Sequence, residues 1–202
     1  VSSIGMILFT SRPVGDAMAT TIWGASSSWT LTALPLFVWM GEILFRTKLS
    51  ENLFEGLAPW LQKLPGGLIH VNVVGCALFA AISGSSAATV ATVGKMSIPE
   101  LRKRKYPEKI LLGSLAGSGT LGLLIPPSII LIIYGVTVQE SIAKLFIAGI
   151  IPGIMIALIF MGYVIVWSLL NKNKMPTNYE NFSFLNKLGK SKQLIPVILL
   201  IL

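Results

Sequence analysis

Two stretches of this sequence place hydroxyls and helix-breaking residues where the surrounding chain is apolar. The first, "FAAISGSSAATVATVGK" (79–95), holds Ser83, Gly84, Ser85, Ser86 and Thr89. The second, "GSLAGSGTLGLLIPPS" (113–128), holds Gly117, Ser118, Gly119, Thr120, Pro126 and Pro127. Gly84 permits backbone conformations that a helix forbids. The Pro126-Pro127 pair removes two backbone donors and frees carbonyls upstream. Freed carbonyls and hydroxyls together suit a hard cation such as Na+, and a helix N-terminus after a break favours an anionic group. Each stretch alone has two readings: small residues that let helices pack closely, or a broken helix whose tip binds an ion or a substrate. Two such breaks in one chain, each near the middle of an apolar run, point to a transporter site.

Other chemistries fare worse. A serine nucleophile needs a base within hydrogen-bond reach, and the only histidine, His70, precedes Ser83 by 13 positions, about 20 Å along a helix. His70 therefore reads as an interfacial side chain. Glu42 stands four residues before Arg46 and reads as its i,i+4 partner. Gly117, Gly119 and Gly122 spell GxGxxG, but no strand and no βαβ unit surrounds them, so the match to a dinucleotide fingerprint is accidental. The single Cys76 excludes an internal disulfide and a cysteine-based metal site.

The elements that position the two breaks belong to a membrane protein. Of 202 residues, 53% are hydrophobic and 12% charged, half the charge of a soluble domain, and the mean hydropathy is +0.78. The net charge of +8 could suggest nucleic acid. However, the basic residues sit in short loops between apolar runs, where they act as topology signals. The beginning, "VSSIGMILF", lacks a basic n-region and reads as the end of an apolar segment. The end, "QLIPVILLIL", reads as the start of another. A fragment cut inside one helix at each end is the expectation.

Residues 1–49 are expected to hold scaffold helices, the clearest running from Trp29 to Phe45. Residues 50–64 form an amphipathic interfacial helix, with Leu53, Phe54, Leu57, Trp60, Leu61 and Leu64 at helical spacing. Residues 65–100 are either one long crossing or a re-entrant hairpin, with one short helix to about Ile82 and another from about Ala87. Residues 101–140 hold a basic loop and an interrupted helix, 141–170 a further crossing, and 171–202 a polar loop and the start of another helix. Lys and Arg mark cytoplasmic loops. Loops 46–66, 95–109 and 171–192 hold 14 of the 16 basic residues. They share one side only if 67–98 returns to the side it came from. The hairpin thus gives the cleaner charge segregation. The "RKRK" run within the second loop reads as a solvated topogenic signal, with anionic lipid contact a lesser reading.

At these residues the sequence resembles the large membrane subunit of tripartite ATP-independent periplasmic (TRAP) transporters. Four stretches carry the resemblance: "SSSWTLTALPLFVWMGEIL", "GGLIHVNVVGCALFAAISGSSAATVATVGKMSIPEL", "GTLGLLIPPSIILIIYG" and "SIAKLFIAGIIPG". They cover most of residues 26 to 153. The resemblance implies an all-α fold, one half of an inverted-repeat elevator transporter in a bacterial or archaeal inner membrane. It implies Na+-driven symport of an organic acid, commonly a carboxylate or sialic acid. The expected partners are a soluble periplasmic binding protein that delivers the substrate, a small membrane subunit, and lipid. By position, Ser83, Gly84, Ser85, Ser86 and Thr89 form the hairpin tip. Gly117, Ser118, Gly119, Thr120, Pro126 and Pro127 form the facing break. In the family such a pair frames one Na+ site with substrate nearby. Many members carry an acidic residue soon after the tip, where this chain has Thr89 and Thr92.

Three other readings of the residues stand beside this one. A channel or passive pore subunit would line a conduction path with the same broken helices. A purely structural subunit would use them for packing alone. An intramembrane hydrolase would need the base that is missing near Ser83, Ser85 and Ser86.

Overall fold

A computed structural model describes residues 4, 13–27, 29–176 and 184–201. Sequence expectations for the first residues, and for 177–183 of the last basic loop, lie outside the described residues. Among the described residues the regular structure is helical, with no strand. The elements are α1 (Val14–Ser26), a 3₁₀ turn (Trp29–Thr32), α2 (Ala33–Arg46), α3 (Leu49–Leu61), α4 (Ile69–Ser83), α5 (Ser86–Lys103), α6 (Glu108–Gly119), a 3₁₀ turn (Thr120–Leu123), α7 (Ile129–Val138), α8 (Ile142–Leu170), a 3₁₀ turn (Lys172–Lys174), α9 (Phe184–Ser191), a 3₁₀ turn (Lys192–Leu194) and α10 (Ile195–Ile201).

Two helices differ from their sequence expectation. The stretch from Trp29 to Phe45 is not one continuous α-helix: its first four residues form the 3₁₀ turn, and α2 begins at Ala33. The α2 helix has 14 residues, about 21 Å, which is short for a complete crossing. The amphipathic helix stops at Leu61, and Leu64 lies in the turn beyond it. Its apolar face is nonetheless the expected one, with Leu53, Phe54 and Leu57 buried in the core.

The α8 helix has 29 residues and is the one described helix long and apolar enough to cross a membrane. Its outer side chains, among them Ile147, Ile151 and Leu158, are exposed. An exposed apolar surface of this kind is stable against lipid or further protein. Its inner face carries small residues. A Cβ on Gly149 would meet the Leu124 carbonyl oxygen at 2.6 Å, and one on Gly153 would meet Ile125 Cγ1 at 2.8 Å. Close packing of small residues therefore explains these glycines.

The chain enters and leaves the α4–α5 pair at one end. Leu68 donates its amide to Tyr106 Oη at 3.1 Å, joining the residue before α4 to one shortly after α5. A Cβ on Gly75 of α4 would lie 3.6 Å from Val93 Cγ1 of α5. The two residues are nearly equidistant from the turn at Gly84, so α4 and α5 form an antiparallel helical hairpin. The basic stretches gather at its open end. Trp60 donates to Ser191 Oγ at 2.9 Å, Gln193 donates to Glu55 at 2.8 Å, and Lys187 lies 5.5 Å from the Trp60 ring centroid. Within the loop after α5, Arg102 grips the Glu108 carboxylate with two nitrogens, at 2.7 and 3.2 Å. That contact holds the Arg102 guanidinium pKa above its usual range.

His70 is not an exposed interfacial side chain. It is fully buried, and its Nε2 donates to the Pro65 carbonyl at 2.8 Å. The reason is the turn before it. Gly66 and Gly67 both have positive φ, 105° and 54°, and they fold the chain back so that Val164 of α8 closes against Gly66. The i,i+4 pair of Glu42 and Arg46 forms as expected, at 2.9 Å.

Candidate functional site

The first break is built by residues 83–89. The α4 helix ends at Ser83, and Gly84 adopts a left-handed conformation (φ 63°) as its C-cap, donating its amide to the Ala80 carbonyl. Ser85 is extended (φ −128°, ψ 125°) and caps α5 by accepting from the Ala88 amide at 3.4 Å. That is the standard N-cap role of a serine. The hydroxyls then close a ring. The Ser85 amide donates to Ser83 Oγ (3.4 Å), Ser83 Oγ lies 2.9 Å from Thr89 Oγ1, and Thr89 Oγ1 donates to the Ser85 carbonyl (2.7 Å). Ser83 and Thr89 are fully buried. The ring satisfies polar groups that would otherwise be costly to bury.

The second break runs from Gly119 to Ser128. The α6 helix tightens into the 3₁₀ turn, Pro126-Pro127 is a cis peptide, and α7 starts at Ile129. Ser128 repeats the backbone of Ser85 almost to the degree (φ −128°, ψ 127°). Its hydroxyl donates back to the Leu123 carbonyl at 2.7 Å.

The two breaks meet. The Ile129 amide donates to the Gly84 carbonyl at 3.2 Å. A Cβ on Gly84 would lie 2.9 Å from the Pro127 oxygen. A Cβ on Gly122 would lie 2.9 Å from both the amide nitrogen and the Cα of Ser86. One on Gly119 would collide with the Val90 side chain. Gly41 of α2 closes a third side, where a Cβ would sit 3.6 Å from Ser83 Cβ. Two helix C-termini and two helix N-termini therefore converge on backbone that is not helical. Such ends present partial charges of both signs, oxygen-rich at one and amide-rich at the other.

Not every residue singled out in the sequence joins this contact. Ser83, Gly84, Ser85, Ser86, Thr89, Gly119 and Pro127 do. Gly117 faces the Phe160 ring of α8, at 3.5 Å for a built Cβ. Ser118 faces α4, with its hydroxyl 2.6 Å from the Ser114 carbonyl and 3.3 Å from that of Asn72. Thr120 is exposed and donates to the Gly117 carbonyl at 2.7 Å. Sequence reasoning missed Gly122, Ile129 and Gly41 as members of the contact. Gly122 was visible in the glycine spacing; the other two are apolar-run residues that carry no local signal. An open cleft of about 620 Å³ lies elsewhere, between α3 and α5, lined by Glu51, Glu55, Lys95 and Glu100 among others. Among the described residues, no group of three or more His, Cys, Asp or Glu side chains could hold a metal. Any ion at the breaks would rest on neutral oxygens.

Paired breaks that meet inside an all-helical, lipid-compatible fold are the architecture in which secondary transporters build their sites. The sequence comparison agrees. The chain belongs to the family described as "Tripartite ATP-independent periplasmic transporter, DctM component", whose model matches residues 1–202. It is 35% identical over 174 residues to the C4-dicarboxylate TRAP transporter large permease protein DctM of Pseudomonas aeruginosa, covering 86% of this chain and 40% of that protein. It is 34% identical over 193 residues to the isethionate TRAP transporter permease protein DctMQ of Oleidesulfovibrio alaskensis, covering 94% of this chain and 30% of that protein. It is 34% identical over 165 residues to the sialic acid TRAP transporter large permease protein SiaM of Vibrio cholerae, covering 81% and 39%. The chain thus spans between 30% and 40% of the length of these relatives. The family is one of membrane transport proteins and not of enzymes.

Proposed function

We propose that this chain is the part of a TRAP transporter large permease that supplies one ion-binding half of a Na+-coupled symporter for an organic acid. The observation that carries this reading is the union of the two breaks, with Gly84 and Ile129 bonded across them. Na+ is the coupling cargo. The donor set fits it: Ser83, Ser85 and Thr89 hydroxyls, with the carbonyl ends of α4 and of the Thr120–Leu123 turn, are hard oxygens without a formal charge. The ring at 83–89 holds the Ser83 and Thr89 hydroxyls in place, and both are fully buried.

The substrate is an anion delivered by a periplasmic binding protein, and a small membrane subunit completes the assembly. The names of the three relatives support an organic acid. An N-terminus at each break, that of α5 and that of α7, offers amides to a carboxylate without a buried basic residue. An uncompensated charge would be expensive at membrane depth, so Na+ and carboxylate enter as a neutral set. The α4–α5 hairpin is re-entrant in this reading, and its open end, where the basic loops gather, faces the cytoplasm. Hairpin and interrupted helix then move as an elevator against a scaffold that includes α2 and the α3 arm.

Uptake into proteoliposomes by the full-length transporter, with its small subunit and binding protein, tests the reading. Accumulation that needs both an inward Na+ gradient and the binding protein is the expected result. Flux indifferent to either, as a passive pore would give, contradicts it.

A further inference from the structure

Asn72 is the one carboxamide in α4, and it lies about 18 Å from the tip along the helix axis. It is fully buried. Its Nδ2 donates to the Leu111 carbonyl at 3.2 Å and to Ser114 Oγ at 3.0 Å, both on α6. The Leu111 carbonyl can only accept, so it fixes which end of the carboxamide points at α6. Ser114 Oγ passes its own proton to the same carbonyl at 3.0 Å. Ser118 Oγ, one turn further, sits 3.3 Å from the Asn72 backbone oxygen. One residue of the hairpin, through its side chain and its backbone oxygen, is thereby fastened to two turns of the interrupted helix.

The rest of that interface is mostly apolar, with Ile69, Val73 and Cys76 buried on α4 and Ile110, Leu111 and Leu115 buried on α6. Ser118 adds a second polar contact, to the Asn72 carbonyl and to the Cys76 thiol. Apolar surfaces oppose a slip of one turn, about 5.4 Å, less sharply than directed hydrogen bonds do. In hydrocarbon no hydrophobic drive opposes the slip, whereas an unmatched polar group does. A single buried Asn selects register in coiled coils on the same grounds. A one-turn slip of α4 on α6 would carry Gly84 out of reach of Ile129. It would also pull Ser86 away from Gly122.

We infer that Asn72 is a positioning residue: by locking α4 to Leu111 and Ser114 of α6, it fixes the register in which the two helix breaks face each other. It touches neither break and acts only through the rigid helices. The transport part of its test rests on the Na+ reading above; the structural part does not.

The test uses the full-length transporter with its partners, carrying Asn72→Val, Asn72→Ser or Ser114→Ala. Asn72→Val should raise the Na+ concentration for half-maximal uptake about fivefold, the equivalent of about 1 kcal/mol, while the rate at saturating Na+ stays within about twofold. Hydrogen exchange of the 129–134 amides should speed up in the same protein, more than in the rest of the chain. Asn72→Ser keeps a donor and should recover part of both effects. Unchanged Na+ dependence together with unchanged exchange at 129–134 overturns the inference. So does faster exchange spread evenly over the whole chain, which marks a loss of general stability. If Asn72→Val does not accumulate, Ser114→Ala carries the same readouts with a smaller shift. If uptake by the unmodified transporter ignores Na+, the proposed function falls, and exchange at 129–134 alone still decides the role of Asn72.

Discussion

The Gly84 carbonyl accepts a hydrogen bond from the Ile129 amide at 3.2 Å. Each partner is an orphan of its own helix. Gly84 caps the C-terminus of α4, where the last carbonyls lack intrahelical donors, and Ile129 opens α7, where the first amides lack acceptors. The break in one helix therefore completes the break in the other, and neither is well satisfied alone. Gly84 is suited to this place by its φ of 63° and by the Pro127 oxygen, 2.9 Å from where a Cβ would stand. Gly84→Ala costs roughly 1–2 kcal/mol for the left-handed backbone alone. The added clash should bring the loss of Na+-dependent uptake in proteoliposomes to about tenfold or more. Normal uptake by this variant would mean that the two breaks are not held together in the working transporter.

Gly122 faces backbone rather than a side chain, since its Cβ would lie 2.9 Å from the Ser86 nitrogen. Backbone at a helix N-terminus cannot swing aside. Gly122→Ala should therefore push the tip and the break apart and lower Na+-driven uptake by about tenfold. Gly113→Ala is the control, because a Cβ there meets nothing within 4 Å. It should match the parent protein in uptake and in yield. Equal loss from both substitutions would point to a general effect of glycine replacement along the interrupted helix.

Thr89 closes the hydroxyl ring by donating to the Ser85 carbonyl at 2.7 Å and meeting Ser83 Oγ at 2.9 Å. Thr89→Val keeps the shape and removes both bonds, while Ser83 Oγ still donates to the Ser85 carbonyl at 3.3 Å and that carbonyl keeps the residue-89 amide. The cost should be about 1 kcal/mol, read as a higher Na+ concentration for half-maximal uptake. Thr89→Ser should lie close to the parent. Thr120→Ala should do little, because that hydroxyl is exposed and serves only the Gly117 carbonyl. A larger effect from Thr120 than from Thr89 would move the ion to the other side of the break.

At the open end of the hairpin, Tyr106 Oη takes the Leu68 amide at 3.1 Å in a buried setting. Tyr106→Phe leaves that amide unpaired at a cost of about 1–3 kcal/mol. A lower thermal midpoint in detergent, with Na+ dependence of uptake unchanged, is the expected result. A shift in Na+ dependence without loss of stability would contradict the separation of roles between the two ends.

The positions of both breaks were legible because glycine, proline and serine are conspicuous in apolar runs. Gly84 and Pro126-Pro127 marked helix ends whatever the packing. The gathering of basic loops at one end followed from where Lys and Arg sit. What could not be read was which face of each helix looks inward. Gly117, Ser118, Gly119 and Thr120 are consecutive, so helical geometry sends them in four directions, and only Gly119 reaches the tip. The 3₁₀ start of the Trp29 segment and the burial of His70 also escaped. Both depend on tertiary contacts, in the second case Val164 closing over Gly66. Asn72 stood in plain view as a lone carboxamide, but its partners lie about 40 residues away on another helix.

Hydrogen exchange of the full-length transporter, compared in Na+ and in K+ at equal ionic strength, tests directly whether the two breaks hold one Na+ between them. Na+ should slow exchange at 84–90 and at 120–130 together, over the same concentration range, and K+ should slow neither. Slowing at one segment without the other, or equal slowing in K+, would contradict a shared Na+ site.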